Sequence, residues 1–143
     1  MLPTQTRLLG VYVVFVGACC APGCSTAVST GLPSQTRIYL TNIGTAYVRA
    51  SRSLNHPPAN LDEFMPHLQQ PENLRSPNDG EDFQIVWGVQ MVNQNIKKNE
   101  IPVLAFEKRG QDGKRHVLFG RADIRLLTEE QLKEALPSGY PLP

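Results

Sequence analysis

The chain has 143 residues, with 14 Lys and Arg against 13 Asp and Glu, and 41% of its residues are hydrophobic. This length suits one compact domain and is too short for two of ordinary size. Near neutrality argues against nucleic acid as a partner, because phosphate binding needs a concentrated basic face. The three cysteines are at positions 19, 20 and 24, so neither a disulfide framework nor a thiolate metal site can support the remaining chain.

Residues 8–19 form an apolar run that follows a single basic residue, Arg7, and no acidic one. This arrangement is typical of a secretory signal sequence. At roughly a dozen residues, the run is shorter than the ~20 that a transmembrane helix needs, and it continues into small residues and Pro22. A permanent membrane span is therefore the weaker interpretation.

Within this run, Val16-Gly17-Ala18-Cys19 resembles the lipobox of bacterial lipoproteins, in which a small residue precedes the lipidated cysteine. The resemblance implies that residues 1–18 are a signal peptide. It also implies that Cys19 is the lipidation site and the mature N-terminus, carrying acyl chains such as palmitate. Two or three chains anchor a protein durably, since each buried methylene contributes ~0.8 kcal/mol. An ordinary cleaved signal with incidental cysteines is the alternative.

The two neighbouring cysteines are weaker candidates for lipidation. Cys24 also follows a glycine, but Pro22 stands two positions upstream, where the lipobox has a small or aliphatic residue. Cys20 occupies the position that influences sorting in lipoproteins, and it is not the aspartate associated with retention at the inner membrane. The resemblance therefore implies a cell-envelope location on the periplasmic side, with the outer membrane favoured over the inner. Residues 19–33 are then a lipidated tether, since they are small, polar and contain Gly and Pro.

A long amphipathic helix is predicted to begin at Ser34 and to end before Pro57-Pro58. Apolar residues recur at spacings of three and four along one stripe: Leu40, Ile43, Tyr47, Ala50 and Leu54. The other faces are polar, so the stripe must be buried against another element, and a sheet is the expected partner. We therefore expect Leu40 and Tyr47 to lie in the core.

A second, short helix is predicted from Asn60, which can cap it, with Glu63 at the capping-box position and Pro66 ending it. Its apolar side is expected to comprise Leu61, Phe64 and Met65. Farther along, Ser76-Pro77-Asn78-Asp79-Gly80 has the composition of a turn. The proline sets one backbone dihedral angle and the glycine accepts a positive one.

The second half of the chain has the alternating periodicity of strands. Four strands are predicted, over residues 83–89, 102–108, 116–119 and 124–127, with a hairpin turn at 110–113. Short connections between sequential strands imply an antiparallel meander. A terminal helix is predicted to begin at Thr128, with Gln131 as its capping-box partner, and to end at Pro137.

The predicted fold class is α+β, in one domain over residues 34–137 followed by a C-terminal tail at 138–143. A long N-terminal helix is expected to pack on a small three- to four-stranded antiparallel sheet, with short second and C-terminal helices. Beyond Cys24 the chain has no cysteine, so its hydrophobic core alone must stabilise this domain.

This order of parts resembles the globular region of type II secretion pseudopilins of the major, G-like class and of related prepilin-like proteins. The resemblance is carried by Pro57-Pro58-Ala59-Asn60-Leu61-Asp62-Glu63-Phe64, by the Ser-Pro-Asn-Asp-Gly turn before the Trp87-Gly88 strand, and by the last hairpin. It implies a helix-on-sheet fold and a link to a secretion or pilus-like assembly. The chain departs from the family at two places. The lipobox replaces the polymerising helix, and Arg121-Ala122 precede Asp123 where relatives have Asp-Gly, so no calcium site is carried over.

No catalytic constellation, cofactor site or metal site is predicted. The three histidines lack the close helical spacing of a zinc pair and are expected in loops or on the surface: His56, His67 and His116. The acids around Gly80 suit a turn better than a calcium loop: Asp79, Glu81 and Asp82. The sequence contains neither a nucleophile elbow nor a glycine-rich phosphate loop. The strand aromatics are interpreted as core: Phe83, Trp87, Phe106 and Phe119.

These observations predict a membrane-anchored, non-enzymatic envelope lipoprotein with a structural or protein-interaction role in a secretion or pilus-like assembly. Its expected partners are the membrane, through the N-terminal lipid, and an envelope protein. The alternative is a module that binds an envelope polysaccharide or a small molecule, which an exposed aromatic patch would favour. An enzyme ranks last, because it would require a pocket where distant carboxylates and histidines converge.

Overall fold

The computed structural model describes residues 34–90 and 101–142, which belong to one compact unit spanning Gly31–Pro143. The segments predicted as a signal peptide and a tether, which include all three cysteines, lie outside the described residues. The predicted α+β class is confirmed: a long helix packs on a four-stranded antiparallel sheet, accompanied by short helices. Within the described ranges, none of the helices combines the length and the apolar character needed to cross a bilayer.

Helix α1 spans Gln35–Leu54, as the periodicity predicts. It begins at Ser34, whose side chain accepts a hydrogen bond from the Arg37 amide, and it ends at Asn55 in the left-handed conformation. Most of the predicted stripe is buried, and Leu40 and Tyr47 are fully so, which confirms both as core residues. Only Leu54, in the last turn, is half-buried.

Helix α1 lies close to the sheet because Gly44 removes a side chain from the contact. A Cβ atom at this position would stand 3.2 Å from a terminal methyl carbon of Leu118, a strand residue beneath it. That spacing is tighter than ordinary van der Waals contact, so glycine here lets the buried stripe of α1 reach the sheet.

Helix α2 spans Leu61–Phe64 and continues into a 3-10 turn at Met65–His67. Asn60 caps it as predicted, but the Glu63 carboxylate accepts from the Ala59 amide at 2.9 Å instead of from the Asn60 amide. Phe64 is fully buried, whereas Leu61 is 46% exposed, so the expectation that Leu61 belongs to the apolar side was wrong. A single helical turn offers only one buried position to the core, and Phe64 fills it.

The sheet contains β1 (Gln84–Ile85), β2 (Val103–Phe106), β3 (Lys114–Phe119) and β4 (Ile124–Thr128) in the order β1-β2-β3-β4. All neighbouring pairs are antiparallel, which confirms the meander. The first strand is shorter than predicted, because the chain turns at Trp87–Gly88 and Gly88 adopts a φ of 73°. A second 3-10 helix, Pro71–Leu74, precedes the 76–80 turn.

The sheet is covered on both faces. Helix α1 and Phe64 cover one face, packing on a cluster that includes Ile85, Ala105 and Leu118. The opposite face carries Val103, Phe106, Val117 and Phe119 and is covered by helix α3 (Glu129–Ala135) through Leu132. Helix α3 begins with the predicted capping box of Thr128 and Gln131. Beyond it, the Tyr140 ring packs edge-on against Phe106, with ring centroids 6.2 Å apart.

Candidate functional site

The predicted turn at residues 76–80 closes through two backbone hydrogen bonds. The Gly80 amide donates to the Ser76 carbonyl at 2.9 Å, and the Ser76 amide donates to the Glu81 carbonyl at 2.8 Å. Gly80 adopts a φ of 68°, the positive value for which glycine was expected. The turn lies against the end of the β2–β3 hairpin, and polar side chains join the two.

Glu107, directly after β2, is the centre of this junction, and its side chain is 0% exposed. Oε1 accepts from Ser76 Oγ at 2.9 Å and from Asn78 Nδ2 at 2.7 Å. Oε2 accepts from the His116 amide at 2.7 Å and contacts His116 Nδ1 at 2.9 Å. Four contacts with potential donors compensate the loss of hydration that burial of a carboxylate entails.

His116 therefore has a structural role that its sequence position did not indicate. Its place in the third strand was predicted, but its side chain was expected at the surface and is only 18% exposed. An ionised carboxylate only accepts hydrogen bonds, so the contact with Glu107 favours the tautomer of His116 that has its proton on Nδ1. A carboxylate that fixes one imidazole nitrogen orients the whole ring.

Asp79 makes the second set of contacts between the turn and the hairpin. Its Oδ2 accepts from the amides of Arg109 and Gly110, each at 2.9 Å, and its Oδ1 accepts from the Glu81 amide at 3.0 Å. Burial alone would raise the pKa of Asp79, but these backbone hydrogen bonds outweigh it and hold that pKa below its usual value. Gly110 is essential to the geometry, since a Cβ there would stand 2.1 Å from the Lys114 carbonyl oxygen.

Two of the three acids that were compared with a calcium loop, Asp79 and Glu81, have carboxylates that contact protein groups. Besides the Asp79 contacts, Glu81 pairs with Lys108 at 3.3 Å and with Arg109 at 3.1 Å. Asp82 forms a backbone bridge with Arg75. In residues 34–90 and 101–142, no three side chains of the His, Cys, Asp and Glu types are gathered as a metal site would require.

The hydrogen bonds of this polar junction hold the 76–80 turn in place. Ser76, its one hydroxyl, donates to Glu107, but both side chains are buried, so a substrate has no access to them in this arrangement. The junction fixes the turn onto the hairpin and so determines the surface that this end of the domain presents. Sequence reasoning missed it because its contacts join positions 31, 29 and 9 residues apart. The available signal was a lone acid that directly follows an apolar strand.

The other residues considered from sequence lie apart from this junction. His56 is exposed at the end of α1, with Nδ1 2.8 Å from the Pro57 carbonyl oxygen. Among the aromatics, Phe83, Phe106 and Phe119 are buried as expected. Trp87 is half-buried and packs edge-on against Phe64, with centroids 5.8 Å apart. The proposed lipidation site, Cys19, and its neighbours Cys20 and Cys24 lie outside the described residues.

A separate groove of about 290 Å³ lies between α1 and the segment that carries both 3-10 helices. Its lining is mostly polar and includes His67, the remaining histidine considered from sequence, together with Arg49 and Asn73. This groove and the polar junction each gather several hydrogen-bonding side chains from parts of the chain that are distant in sequence.

Comparison of the chain with protein-family models, with curated proteins and with solved structures finds no significant match. The functional argument therefore rests on the residues of this chain.

Proposed function

We propose that this chain is a membrane-anchored, non-enzymatic envelope lipoprotein whose α+β domain has a structural or protein-interaction role, with the resemblance to pseudopilins pointing to a secretion or pilus-like assembly. The observation that carries the proposal is the lipobox-like segment ending at Cys19, placed a short tether ahead of the domain that begins at Ser34. Lipid on that cysteine would hold the domain at the periplasmic face of a membrane, and the sorting position favours the outer one.

The architecture of the domain supports a separable anchor. The core clusters on the two faces of the sheet consist of residues after Ser34, and none of their members is a cysteine. Removal of the lipid should therefore alter location without altering the fold. The polar junction supports a non-enzymatic role, because Glu107 and Ser76 are both buried and out of reach of a substrate.

Lipidation is tested by metabolic labelling with a palmitate analogue in a bacterial host. We expect label and membrane association in the wild-type chain, and loss of both in Cys19→Ser, with no change in thermal unfolding. Cys24→Ser is the matched control and should keep both. Label that persists in Cys19→Ser and disappears in Cys24→Ser or Cys20→Ser would contradict the assignment to Cys19. Label absent from the wild type would contradict lipidation itself.

The interaction role is tested by crosslinking the wild-type lipoprotein in intact cells. Photoreactive residues at two of the exposed apolar positions, Ile38 and Leu126, place probes near the first turn of α1 and on β4. We expect a discrete crosslinked envelope protein from one position and not from the other. Equal, diffuse crosslinking from both positions, or none from either, would contradict a specific protein partner.

A second candidate function is the binding of an envelope polysaccharide or small molecule, which was the alternative predicted from sequence. The expected discriminator, an exposed aromatic patch, finds no support in Phe83, Phe106 and Phe119, which are buried. The polar groove beside α1 favours this candidate, because its side chains can both donate and accept hydrogen bonds.

A further inference from the structure

The groove beside α1 is built by two separate parts of the chain. Its residues include Asn42, Thr45 and Arg49 from α1, and His67, Gln70 and Asn73 from the segment with the 3-10 helices. These six side chains comprise three amides, a hydroxyl, an imidazole and a guanidinium, and no carboxylate lines the groove. The lining therefore suits a ligand that both donates and accepts hydrogen bonds and carries negative charge.

Asn73 is the most informative residue of this lining. It is only 2% exposed, and its Nδ2 donates to Gln70 Oε1 at 3.1 Å. Its Oδ1 is buried and has no hydrogen-bond partner among the described residues. Buried side-chain oxygens are normally paired, so a small movement of Asn73 that brought this acceptor into the groove would be favoured by a ligand that donates to it.

Arg49 supplies the charge of the groove. It is exposed on α1, and it forms none of the ion pairs found between described residues. A guanidinium presents a planar fork of donors that matches the two oxygens of a carboxylate. One fork surrounded by amides matches a single carboxylate on a hydroxylated ring better than a phosphate, which is usually held by several cations or by helix amides.

We propose that this groove binds a uronic acid, a sugar whose carboxylate pairs with Arg49 and whose hydroxyls bond the amides of Asn42, Gln70 and Asn73. The volume, near the lower limit of ligand pockets, accommodates one sugar unit rather than an extended chain. The inference rests on the second candidate function and is independent of lipidation at Cys19. In the envelope, the sugar could be free or could be a residue of an acidic polysaccharide, and the shared chemistry is the uronate.

The full chain, purified in detergent, is titrated with glucuronate, glucose and inorganic phosphate while ligand binding is followed by saturation-transfer NMR. We expect glucuronate to bind with a Kd on the order of a millimolar, as befits a small polar ligand, and glucose and phosphate to bind at least ~10-fold more weakly. A glucuronate oligomer that binds more tightly than the monomer would identify a polysaccharide as the source, and equal affinity would identify the free sugar.

Arg49→Gln should weaken glucuronate binding at least ~10-fold, because the charge-assisted fork is lost. Arg52→Gln is the matched control, since Arg52 is exposed on the last turn of the same helix and does not line the groove. Both variants are checked for an unchanged unfolding midpoint. Equal glucuronate affinity in Arg49→Gln and wild type, equal binding of glucose, stronger binding of phosphate, or no binding at all would each overturn the proposal. None of these results bears on palmitate labelling.

Discussion

Substitution of Glu107 by Gln tests the polar junction most directly, because Gln keeps the shape of the side chain and removes its charge. In the wild type, both carboxylate oxygens accept: Oε1 from Ser76 and Asn78, and Oε2 from the amide and ring of His116. Gln has only one accepting oxygen, and its amide group would face donors at the other position. The Gln amide group is less unfavourable at the position that faces Ser76 than at the one that faces His116, since the Ser76 hydroxyl can rotate to accept a hydrogen bond.

The magnitude follows from the number of hydrogen bonds affected. Hydrogen bonds to a charged group contribute about 1.5–3 kcal/mol each, against about 0.5–1.5 kcal/mol for neutral ones. At least one donor, the Asn78 amide, loses its acceptor in the variant, and the remaining bonds become neutral. Because Glu107 is 0% exposed, water cannot occupy the position of the lost oxygen, so the Asn78 amide can regain a partner only on the exposed side of its own residue. We expect Glu107→Gln to lower the free energy of unfolding by about 2–4 kcal/mol.

The assay is urea unfolding followed by the fluorescence of Trp87, the one tryptophan of the chain, which packs against buried Phe64. Glu134→Gln is the matched control, since Glu134 is exposed on α3 and should change stability by less than about 0.5 kcal/mol. A Glu107→Gln variant as stable as this control would refute the reasoning. It would mean that the buried carboxylate costs as much in desolvation as its hydrogen bonds return.

Three further predictions use the same assay. Leu40→Ala should lower the free energy of unfolding by about 2–5 kcal/mol, because it empties space between α1 and the sheet; an unchanged midpoint would contradict that packing. Tyr47→Phe should cost about 1–3 kcal/mol, since the Tyr47 hydroxyl contacts the Val89 amide at 2.9 Å and the Val89 carbonyl at 3.2 Å; a stability equal to wild type would show that water replaces it. Asp79 has a lowered pKa, so its contribution is present above its unfolded pKa of ~3.9 and is lost as the pH falls toward the folded value. Stability should therefore decline more steeply below about pH 4 in wild type than in Asp79→Asn, whereas Asp62→Asn, at an exposed position, should follow wild type; parallel curves for all three would contradict this role.

The helices and their ends were predictable because the signals that define them are local. Ser34, Asn60 and Thr128 each accept a backbone hydrogen bond from a residue three positions later, a relation that sequence spacing displays. The stripe of α1 follows the helical period, so burial of Leu40 and Tyr47 followed from position alone. Where only one helical turn forms, periodicity loses its meaning, and Leu61 is exposed despite its apolar character.

The groove beside α1 was beyond prediction for a different reason. Its two walls are distant in sequence, and their separation depends on how the 3-10 helices at Met65–His67 and Pro71–Leu74 direct the chain along α1. Asn73 occurs in a polar stretch that reads as an exposed loop, yet its backbone amide bonds the Gln70 carbonyl at 3.0 Å and its side chain is buried. When a loop contains several asparagines and glutamines, the sequence does not indicate which of their side chains face inward.

The polar junction depends on a bulge that strict alternation would not contain. Val103 pairs with Phe119, but Ala105 pairs with Leu118, so Leu104 is an extra residue in β2. Leu104 and Ala105 consequently both join the cluster beneath α1, while Val103 and Phe106 face α3. Without the bulge, Glu107 would share the face of Val103, on the other side of the sheet from the 76–80 turn. The irregularity of one residue therefore brings the buried carboxylate to Ser76, Asn78 and His116, and makes the junction possible.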